Sequence, residues 1–360
     1  MDFDLTDEHE AVVDLAATIL GEHADPARLR QLEEGGGWLD EAAWQAITGS
    51  GLIAAVLPEP AGGGMGMLGL HLLLEQAGMT AAHVPLWEHA VGALALATFA
   101  PTDVDLDRVA NGDDLVTLAL MEVGAPAEAP TVVASDADGW RLTGTKVLVP
   151  LLDRTNHLLV SAATDDGQTG VFLVARDAVE ATPQQLSSRV PHARTDLDRA
   201  PAVPVGPVDG TALDWLLQRA RAGLASLQAG LNQGAVRLAA DYTSTREQFG
   251  RPIATFQAVS QRVAQAFIEA ECGRLTALQA AWSLDEDGTA PDEVAIAKWW
   301  ASEAGHNVLH AAQHVHGGVG VDREYPLHRF LLRTKQIEFT LGAAPEHLAA
   351  LGARVADDDA

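Results

Sequence analysis

Two short segments of the sequence contain residue types suited to binding a phosphate group. The first runs from Thr245 to Gln257 and includes Arg246, Gly250 and Pro252. Because Gly250 readily adopts a positive φ and Pro252 cannot continue a helix, a helix is predicted to end in a turn here. The guanidinium of Arg246 beside that turn is suited to a phosphate. The alternative interpretation is an ordinary helix–helix connection with exposed charges.

The second segment runs from Gln313 to Gly320 and contains Gly317 and Gly318 in succession. Paired glycines after a helix allow a ligand to approach the backbone closely and offer N–H groups to phosphate oxygens. The alternative interpretation is an ordinary turn, because this glycine pattern also occurs at many chain reversals.

Two histidines in the second segment, His314 and His316, raise the question of metal binding. They stand two residues apart in a predicted loop without a carboxylate motif, and this spacing does not favour a metal site. The single cysteine, Cys272, excludes a disulfide framework and any metal site built from cysteines. No metal ligands are predicted.

The composition limits the classes of partner. The chain has 23 lysines and arginines against 50 aspartates and glutamates, which gives a formal net charge of −27. Such a surface repels nucleic acid and anionic lipid, so neither is expected as a partner. Residues 1–4 lack the basic start of a secretory signal, and no run of about 18 apolar residues occurs. A cytoplasmic protein is therefore expected.

The hydrophobic period changes twice along the chain and predicts three domains. Residues 1–114 read as an N-terminal helical domain, with Thr6 as the N-cap of the first helix. Residues 115–206 contain short strand-like runs typical of a small antiparallel barrel or sandwich. Residues 207–360 return to the helical period and predict a C-terminal bundle of three or four long helices. The expected fold class is mostly α with a small central β domain.

With these features combined, the chain resembles the acyl-CoA dehydrogenase family over its whole length. The matching segments are Leu5–His9, Gly51–Gly66, Gly139–Lys146, and above all the two phosphate-type segments at 246–257 and 313–320. The resemblance implies the family's N-terminal helical domain, β domain and C-terminal four-helix bundle. It also implies an FAD cofactor, an acyl-CoA substrate, and a catalytic Glu that removes the α-proton while the β-hydride passes to the flavin.

The resemblance further implies which residues meet the cofactor. In the family, FAD lies across a dimer interface. The family's arginine matches Arg246, which with Gln248 and Phe249 is expected at the pyrophosphate; Gln257, in the same stretch, is assigned to this site. The glutamine and glycines that match Gln313, Gly317 and Gly318 are expected at the adenosine-pyrophosphate part of a neighbour's FAD.

The sequence departs from the family at the catalytic base. The expected position, some nine residues after Arg333, is occupied by Leu341 or Gly342, depending on a one-residue gap. The base position that other family members use is occupied by Ala220. None of these side chains accepts a proton, so no catalytic residue is assigned.

The flavin-facing part of the β domain also differs from the family. Where family members have Trp-x-Thr, this chain has Leu148-Val149-Pro150. Leu148 retains an apolar surface, but Pro150 offers neither a hydroxyl nor an N–H group to the ring. The sequence thus keeps the residues expected to bind the adenosine-pyrophosphate end of FAD. It lacks the residues expected to contact the reacting flavin ring.

This asymmetry leads to the hypothesis of a division of labour. The chain is interpreted as the base-lacking subunit of an α2β2 heterotetramer, with a homologous partner subunit that carries the catalytic Glu. Paired short chains of this kind occur in the family in bacterial steroid degradation, and an electron-transfer flavoprotein is the family's electron acceptor. Two alternatives stay open: a self-sufficient dehydrogenase with a relocated base at Glu338 or Glu346, and a non-catalytic scaffold of the same fold.

Overall fold

The computed structural model describes residues 5–99, 101, 104–136 and 139–358. Residues 1–4, on which the argument about a secretory signal depends, lie outside this part of the chain. Helices dominate both ends of the described chain and strands dominate its middle, so the predicted fold class is confirmed.

The helices, in chain order, are α1 (Asp7–Glu22), α2 (Pro26–Glu34), α3 (Glu41–Gly49), α4 (Leu52–Val56), α5 (Gly66–Met79), α6 (Leu86–Phe99), α7 (Leu106–Ala110), α8 (Thr211–Thr245), α9 (Gln257–Asp287), α10 (Pro291–His316), α11 (Leu327–Phe339) and α12 (Ala344–Asp358). At the start of α1, Thr6 accepts a hydrogen bond from the backbone N–H of His9, as the predicted N-cap requires.

The strands, in chain order, are β1 (Val116–Ala119), β2 (Val133–Ser135), β3 (Arg141–Pro150), β4 (His157–Thr164), β5 (Thr169–Ala175), β6 (Glu180–Gln184), β7 (His192–Pro201), β8 (Val203–Pro204), β9 (Glu247–Gln248) and β10 (Arg251–Pro252). The first eight form one sheet in the order β6-β7-β3-β2-β4-β5-β8, with β1 beside β4. The sheet is mixed, because β1 and β2 both run parallel to β4 while the other pairs are antiparallel.

The sequence around strand β7 gives no clear strand signal, and its composition explains why. Its buried and exposed residues alternate along most of its length, but the exposed set consists largely of charged residues. Leu197 is its only large aliphatic side chain directed into the core. A strand with one polar face gives a weak hydrophobic signal, although it pairs with β3 along most of its length.

The chain divides into two compact units. The first comprises residues up to Asp40, His71–Val84, and residues from Arg221 onward; the second comprises Glu41–Leu70 and Pro85–Ala220. The three-domain division of the sequence stays a prediction. In the first unit, α10 packs against α9, α11 and α12. In the second unit, the buried strand residues form one hydrophobic cluster that includes Phe172.

Within the first unit, α5 and α8 are in direct backbone contact. A Cβ atom at Gly230 would overlap the carbonyl oxygen of Glu75, and one at Gly78 would overlap that of Leu227. Four residues after Gly230, a Cβ atom on Gly234 would lie 2.6 Å from the carbonyl oxygen of Met79. Only glycine permits this close approach, because every other residue adds an atom where backbone already lies.

Gly230→Ala is therefore expected to lower the free energy of unfolding by at least about 3 kcal/mol, because the clash is with rigid backbone. Gly21→Ala is the matched control, since Gly21 lies in α1 and a Cβ there meets nothing within 4 Å. The control should raise stability by about 1 kcal/mol or less. Urea denaturation of both variants measures the difference, and equal midpoints would contradict the contact.

Candidate functional site

A small hairpin follows α8 and contains Arg246. The backbone N–H of Arg246 donates to Tyr242 O at 2.8 Å, and its carbonyl accepts from Ile253 N at 2.8 Å. Strands β9 and β10 then pair around Phe249 and Gly250, which have φ values of 55° and 76°. Two successive positive φ angles are typical of a tight two-residue hairpin turn. The sequence predicted the end of the helix and the turn, but not the strand pairing.

The side chains of this hairpin are directed outward. Phe249 at its tip is 93% exposed, and Arg246, Gln248 and Gln257 are also exposed. At the base of the hairpin, the Arg251 guanidinium lies 4.2 Å from the ring centre of Phe256. A cation stacked on an aromatic face restrains the hairpin without using any of the outward-facing groups.

The second segment lies at the end of α10. Gly317 has φ 58° and ψ −133°, a backbone conformation open to glycine, and its N–H donates to Gln313 O within the last turn. A Cβ atom at Gly317 or Gly318 would have no neighbour within 4 Å. The backbone here is therefore open to a ligand or a partner chain. Gly320, in contrast, packs tightly, since a Cβ there would lie 3.2 Å from Gln313 O.

An aromatic cluster joins the two segments. The rings of Tyr242 and His316 stack with centres 4.5 Å apart, and His316 Nε2 is hydrogen-bonded to the Tyr325 hydroxyl at 2.9 Å. Tyr242 is four residues before Arg246, and His316 directly precedes Gly317. The sequence has two tyrosines in all, and both lie in this cluster. Sequence reasoning did not assign them a role, although their rarity was an available signal.

The cluster also decides the role of the two histidines. His316 is buried, its Nδ1 lies 2.7 Å from Ala312 O, and its Nε2 meets Tyr325. Burial lowers the pKa of His316, which keeps the ring neutral near pH 7. With both nitrogens engaged, His316 is a structural residue, whereas His314 is exposed. The structure does not bring the pair together as ligands.

Two helices end in this region, and their partial negative charge opposes phosphate binding unless a positively charged side chain is present. Both α8 and α10 end here, and helix C-termini carry partial negative charge. Arg246 stands at the end of α8 and supplies a positive charge there, next to a carboxylate at Glu247. These residues fit the phosphate-bearing end of a dinucleotide, because a guanidinium and open glycine N–H groups both favour phosphate oxygens.

The expected base position in the loop between α11 and α12 is filled. Leu341 is buried, and Gly342 has φ 104°. A Cβ atom at Gly342 would lie 2.7 Å from His347 Nε2. The imidazole of His347 therefore occupies the space that a side chain at position 342 would need.

His347 itself is a neutral group near pH 7. Burial first, and then the charges of Lys298 and Arg221, lower its pKa to about 4. Its Nε2 is buried and makes no hydrogen bond within the described residues. Sequence reasoning missed His347, because an isolated histidine in an amphipathic helix gives no signal of what it packs against.

Two cations hold the loop that contains Leu341 and Gly342. Lys298 Nζ donates to Gly342 O at 2.8 Å and to Ile337 O and Ser302 Oγ at 3.1 Å each. Arg221 Nε donates to Leu341 O at 3.1 Å. Backbone carbonyls that would otherwise be left unpaired at the end of α11 are thus bonded to side-chain donors.

The alternative base position, at Ala220, is closed as well. Ala220 is fully buried, and its carbonyl accepts a hydrogen bond from Trp87 Nε1 at 2.8 Å. The buried indole of Trp87 on α6 covers this part of α8.

The two carboxylates considered as substitutes both have structural partners. Glu338 accepts from Lys335 Nζ at 2.7 Å and lies 3.4 Å from His306 Nδ1. Glu346 Oε2 accepts from Ala343 N at 3.1 Å, which caps the first turn of α12. Neither residue has the isolated, buried carboxylate typical of a tuned general base.

In the second unit, the segment matched to the flavin ring lacks available donors. β3 bulges between Lys146 and Val149, and Leu148 in the bulge has φ 52°. The Leu148 N–H is already bonded to Gln184 Oε1 at 2.7 Å. Pro150 is buried and has no N–H. The residues present do not fit the hydrogen-bonding needs of a flavin ring.

A buried ion pair stabilises the same region. Lys146 Nζ lies 2.5 Å from Glu122 Oε1 and 2.9 Å from Ser161 Oγ. Burial lowers the pKa of Lys146 to about 8, and Glu122 opposes that shift. The carboxylate of Glu122 also accepts from the backbone N–H of Thr131 at 2.7 Å. The Glu122 carboxylate thus stabilises the loop that contains Thr131.

No helix in the described ranges combines the length and the apolar character that crossing a bilayer requires.

Comparisons with known proteins agree with the fold. Residues 210–356 match the family model for the acyl-CoA dehydrogenase C-terminal domain. The chain is 36% identical to acyl-CoA dehydrogenase FadE27 of Mycobacterium tuberculosis, with 100% of each covered. It is similar to a chain of a variant of the Tcur3481-Tcur3483 steroid ACAD, with 42% identity, a TM-score of 0.93, and 98% and 99% of the two chains covered.

The chain is also similar to the solved ChsE4-ChsE5 complex from Mycobacterium tuberculosis. The identity is 35%, the TM-score is 0.91, and 99% of each chain is covered. The name of each of these two solved structures contains two protein names.

The burial of Lys298 predicts a measurable pH dependence. Desolvation first, and then Arg221, lower its pKa from 10.5 to about 7, against the opposing charges of Glu338 and Glu346. Between these two pH values the unfolded chain binds a proton that the folded chain does not. The free energy of unfolding should therefore rise with pH relative to Lys298→Met, by up to about 1.4 kcal/mol per unit between pH 7 and 9.

Urea denaturation of the wild type and Lys298→Met at pH 7, 8 and 9 measures this slope. Lys335→Met is the control for the loss of a lysine side chain, because its ammonium is partly exposed. Parallel curves for Lys298→Met would contradict the prediction.

Proposed function

The chain belongs to the acyl-CoA dehydrogenase family, and we propose that it acts there as the base-lacking subunit of a heteromeric enzyme. In this proposal the chain contributes residues that bind FAD, and a homologous partner subunit contributes the catalytic Glu. The observation that carries the proposal is the contrast between an open phosphate-type site at Arg246 and Gly317 and a filled base position at Gly342.

The cofactor of this family is FAD. When bound, it accepts the β-hydride of an acyl-CoA thioester. In this chain, the Arg246 guanidinium binds and orients the pyrophosphate, with Gln248 and Phe249 beside it. Gln313, Gly317 and Gly318 contact the adenosine-pyrophosphate part of a neighbouring subunit's FAD. Gln257 begins the helix that follows the hairpin and belongs to the same binding surface.

The partner supplies what this chain lacks. Abstraction of the α-proton requires a positioned base, and the neutral, buried His347 and the bonded carbonyls of Leu341 and Gly342 leave no carboxylate at that place. The flavin ring likewise requires donors that Leu148 and Pro150 do not offer. The missing base and the missing ring donors both belong to the reacting part of the site. General decay of the protein would affect both ends of the FAD site, so this pattern supports a division of labour between two subunits.

Exposed apolar side chains near the hairpin support a partner chain. Phe267, Ile268 and Leu275 on α9 are 55%, 55% and 53% exposed, and Phe249 is 93% exposed. Large apolar side chains in this number along one helix indicate an association surface. A related subunit seated on α9 would cover them and would bring its FAD to Arg246.

We further propose that the assembly is an α2β2 heterotetramer that acts on a steroid acyl-CoA in the cytoplasm. The support is the similarity to the Tcur3481-Tcur3483 steroid ACAD and to the ChsE4-ChsE5 complex. An electron-transfer flavoprotein would reoxidise the flavin, as the family resemblance implies. The acyl group would enter a pocket formed mainly by the partner.

Flavin content tests the shared site. The chain purified alone should be colourless, and co-expressed with its homologous partner it should be yellow with about one FAD per pair. Flavin absorbance per chain measures this ratio. Stoichiometric FAD on the isolated chain would overturn the shared site, and no flavin in either preparation would favour the scaffold alternative.

Arg246→Ala in the co-expressed complex is expected to lower FAD occupancy at least about tenfold at limiting FAD, because the pyrophosphate loses its charged partner. Arg194→Ala is the matched control, since Arg194 is an exposed arginine of β7 paired with Asp196. Gel filtration of both variants checks that the complex still assembles. Equal flavin content in the two variants would place the pyrophosphate elsewhere.

Glu338→Gln and Glu346→Gln separate the proposal from a relocated base. Because Glu338 is paired with Lys335 and Glu346 caps α12, kcat of the complex should stay within about threefold of the wild type in each variant. A fall of about a hundredfold or more in kcat, with the fold and flavin content intact, would identify that residue as the base.

A further inference from the structure

Four titratable side chains meet where α10 packs on α11. His306 and His310 lie one turn apart on α10, with ring centres separated by 4.4 Å. Lys335 and Glu338 lie one turn apart on α11, joined by a 2.7 Å ion pair. Lys335 Nζ also lies 2.7 Å from His306 Nδ1. None of these side chains has a part in the cofactor site described above.

The Lys335 ammonium here is a cation held by an imidazole and a carboxylate. An ammonium has only protons to donate, so His306 Nδ1 is the acceptor in this contact. A neutral imidazole that directs a lone pair at a cation is also the form in which histidine binds metals. Glu338 Oε2 approaches the same ammonium from the other side.

The spacing of the acceptors matches metal coordination. Two ligands about 2.0–2.1 Å from a tetrahedral zinc ion are separated by roughly 3.3 Å. His306 Nδ1 and Glu338 Oε1 are 3.4 Å apart. Histidines at positions i and i+4 of a helix present their rings on one face, which is the arrangement used in helical zinc sites.

The second imidazole lies beside the first, with the two ring centres 4.4 Å apart. His310 is exposed, so its ring is free to turn toward His306. The net charge of −27 raises the local concentration of cations at such a site.

We propose that His306, His310 and Glu338 form an exchangeable site for a divalent transition metal of the zinc class, in which the Lys335 ammonium takes the place of the ion when no metal is bound. Among the described residues, no three such side chains already converge on one point. Metal binding therefore requires Lys335 to withdraw and His310 to rotate. The proposal does not depend on the proposed function, because the site uses none of its residues.

The competition between Lys335 and metal gives the decisive test. Zinc chloride is titrated calorimetrically into the full chain, or into the co-expressed complex, at pH 7.5. The wild type should bind one ion per chain. Lys335→Ala should bind it at least about tenfold more tightly, because the competing ammonium is gone. His306→Ala and His310→Ala should each weaken binding at least about tenfold.

Two further histidine variants separate this site from other binding. His9→Ala is the control and should leave the zinc affinity unchanged, because His9 is a histidine of α1 outside the cluster. His314→Ala is the discriminating variant, since His314 lies one turn beyond His310 on α10. Loss of binding in His314→Ala with retention in His306→Ala would overturn the proposal in favour of a different pair.

The proposal is also overturned if the wild type and Lys335→Ala both fail to bind zinc, or if all histidine variants bind alike, which would indicate an adventitious ion only. Thermal denaturation of each variant without metal verifies that the fold is intact. Zinc should raise the melting temperature of the wild type and of Lys335→Ala but not that of His306→Ala.

Discussion

The contact between the backbones of α5 and α8 fixes the geometry of the helical unit. Gly78 and Gly230 allow the two helices to approach until their backbones touch, and a hydrogen bond between Ser226 and His71 and one from Gln233 to Glu75 lie beside the contact. Helix α8 carries Arg221 on one side of this point and Tyr242 on the other. Its position therefore determines both the loop that Arg221 holds and the hairpin that follows Tyr242.

The expected base position is occupied in a physically stable way, although no carboxylate is present there. Removal of a buried carboxylate leaves a space and two unpaired cations, and both are costly. Here the imidazole of His347 fills the space beside Gly342, and Lys298 and Arg221 bond to backbone carbonyls. The loop is thus as well satisfied without a carboxylate as an active loop would be with one. A single substitution to Glu at position 342 would meet His347.

Much of the fold followed from the sequence. The long helices have a clear 3.6-residue period, and the turn at Gly250 and the paired glycines at 317–318 have local conformational requirements that a sequence reveals. Strand β7 could not be predicted from the sequence, because its exposed face is charged and its hydrophobic signal is weak. The role of Trp87 did not follow from the sequence either, since it depends on a contact with Ala220, which is distant along the chain. The role of His347 depends on how the loop at Gly342 folds back onto α12.

The scarcity of lysine has a practical consequence for mapping the assembly. The sequence contains three lysines, Lys146, Lys298 and Lys335, of which the first two are completely buried and the third is ion-paired. Reagents that attack primary amines therefore find almost no target on the folded surface. Reactive acyl thioesters, which acylate exposed lysines without an enzyme, find almost none either. Carboxylate-directed cross-linkers, in contrast, meet an abundance of aspartates and glutamates, and they are the chemistry with which the neighbours of this chain are best captured.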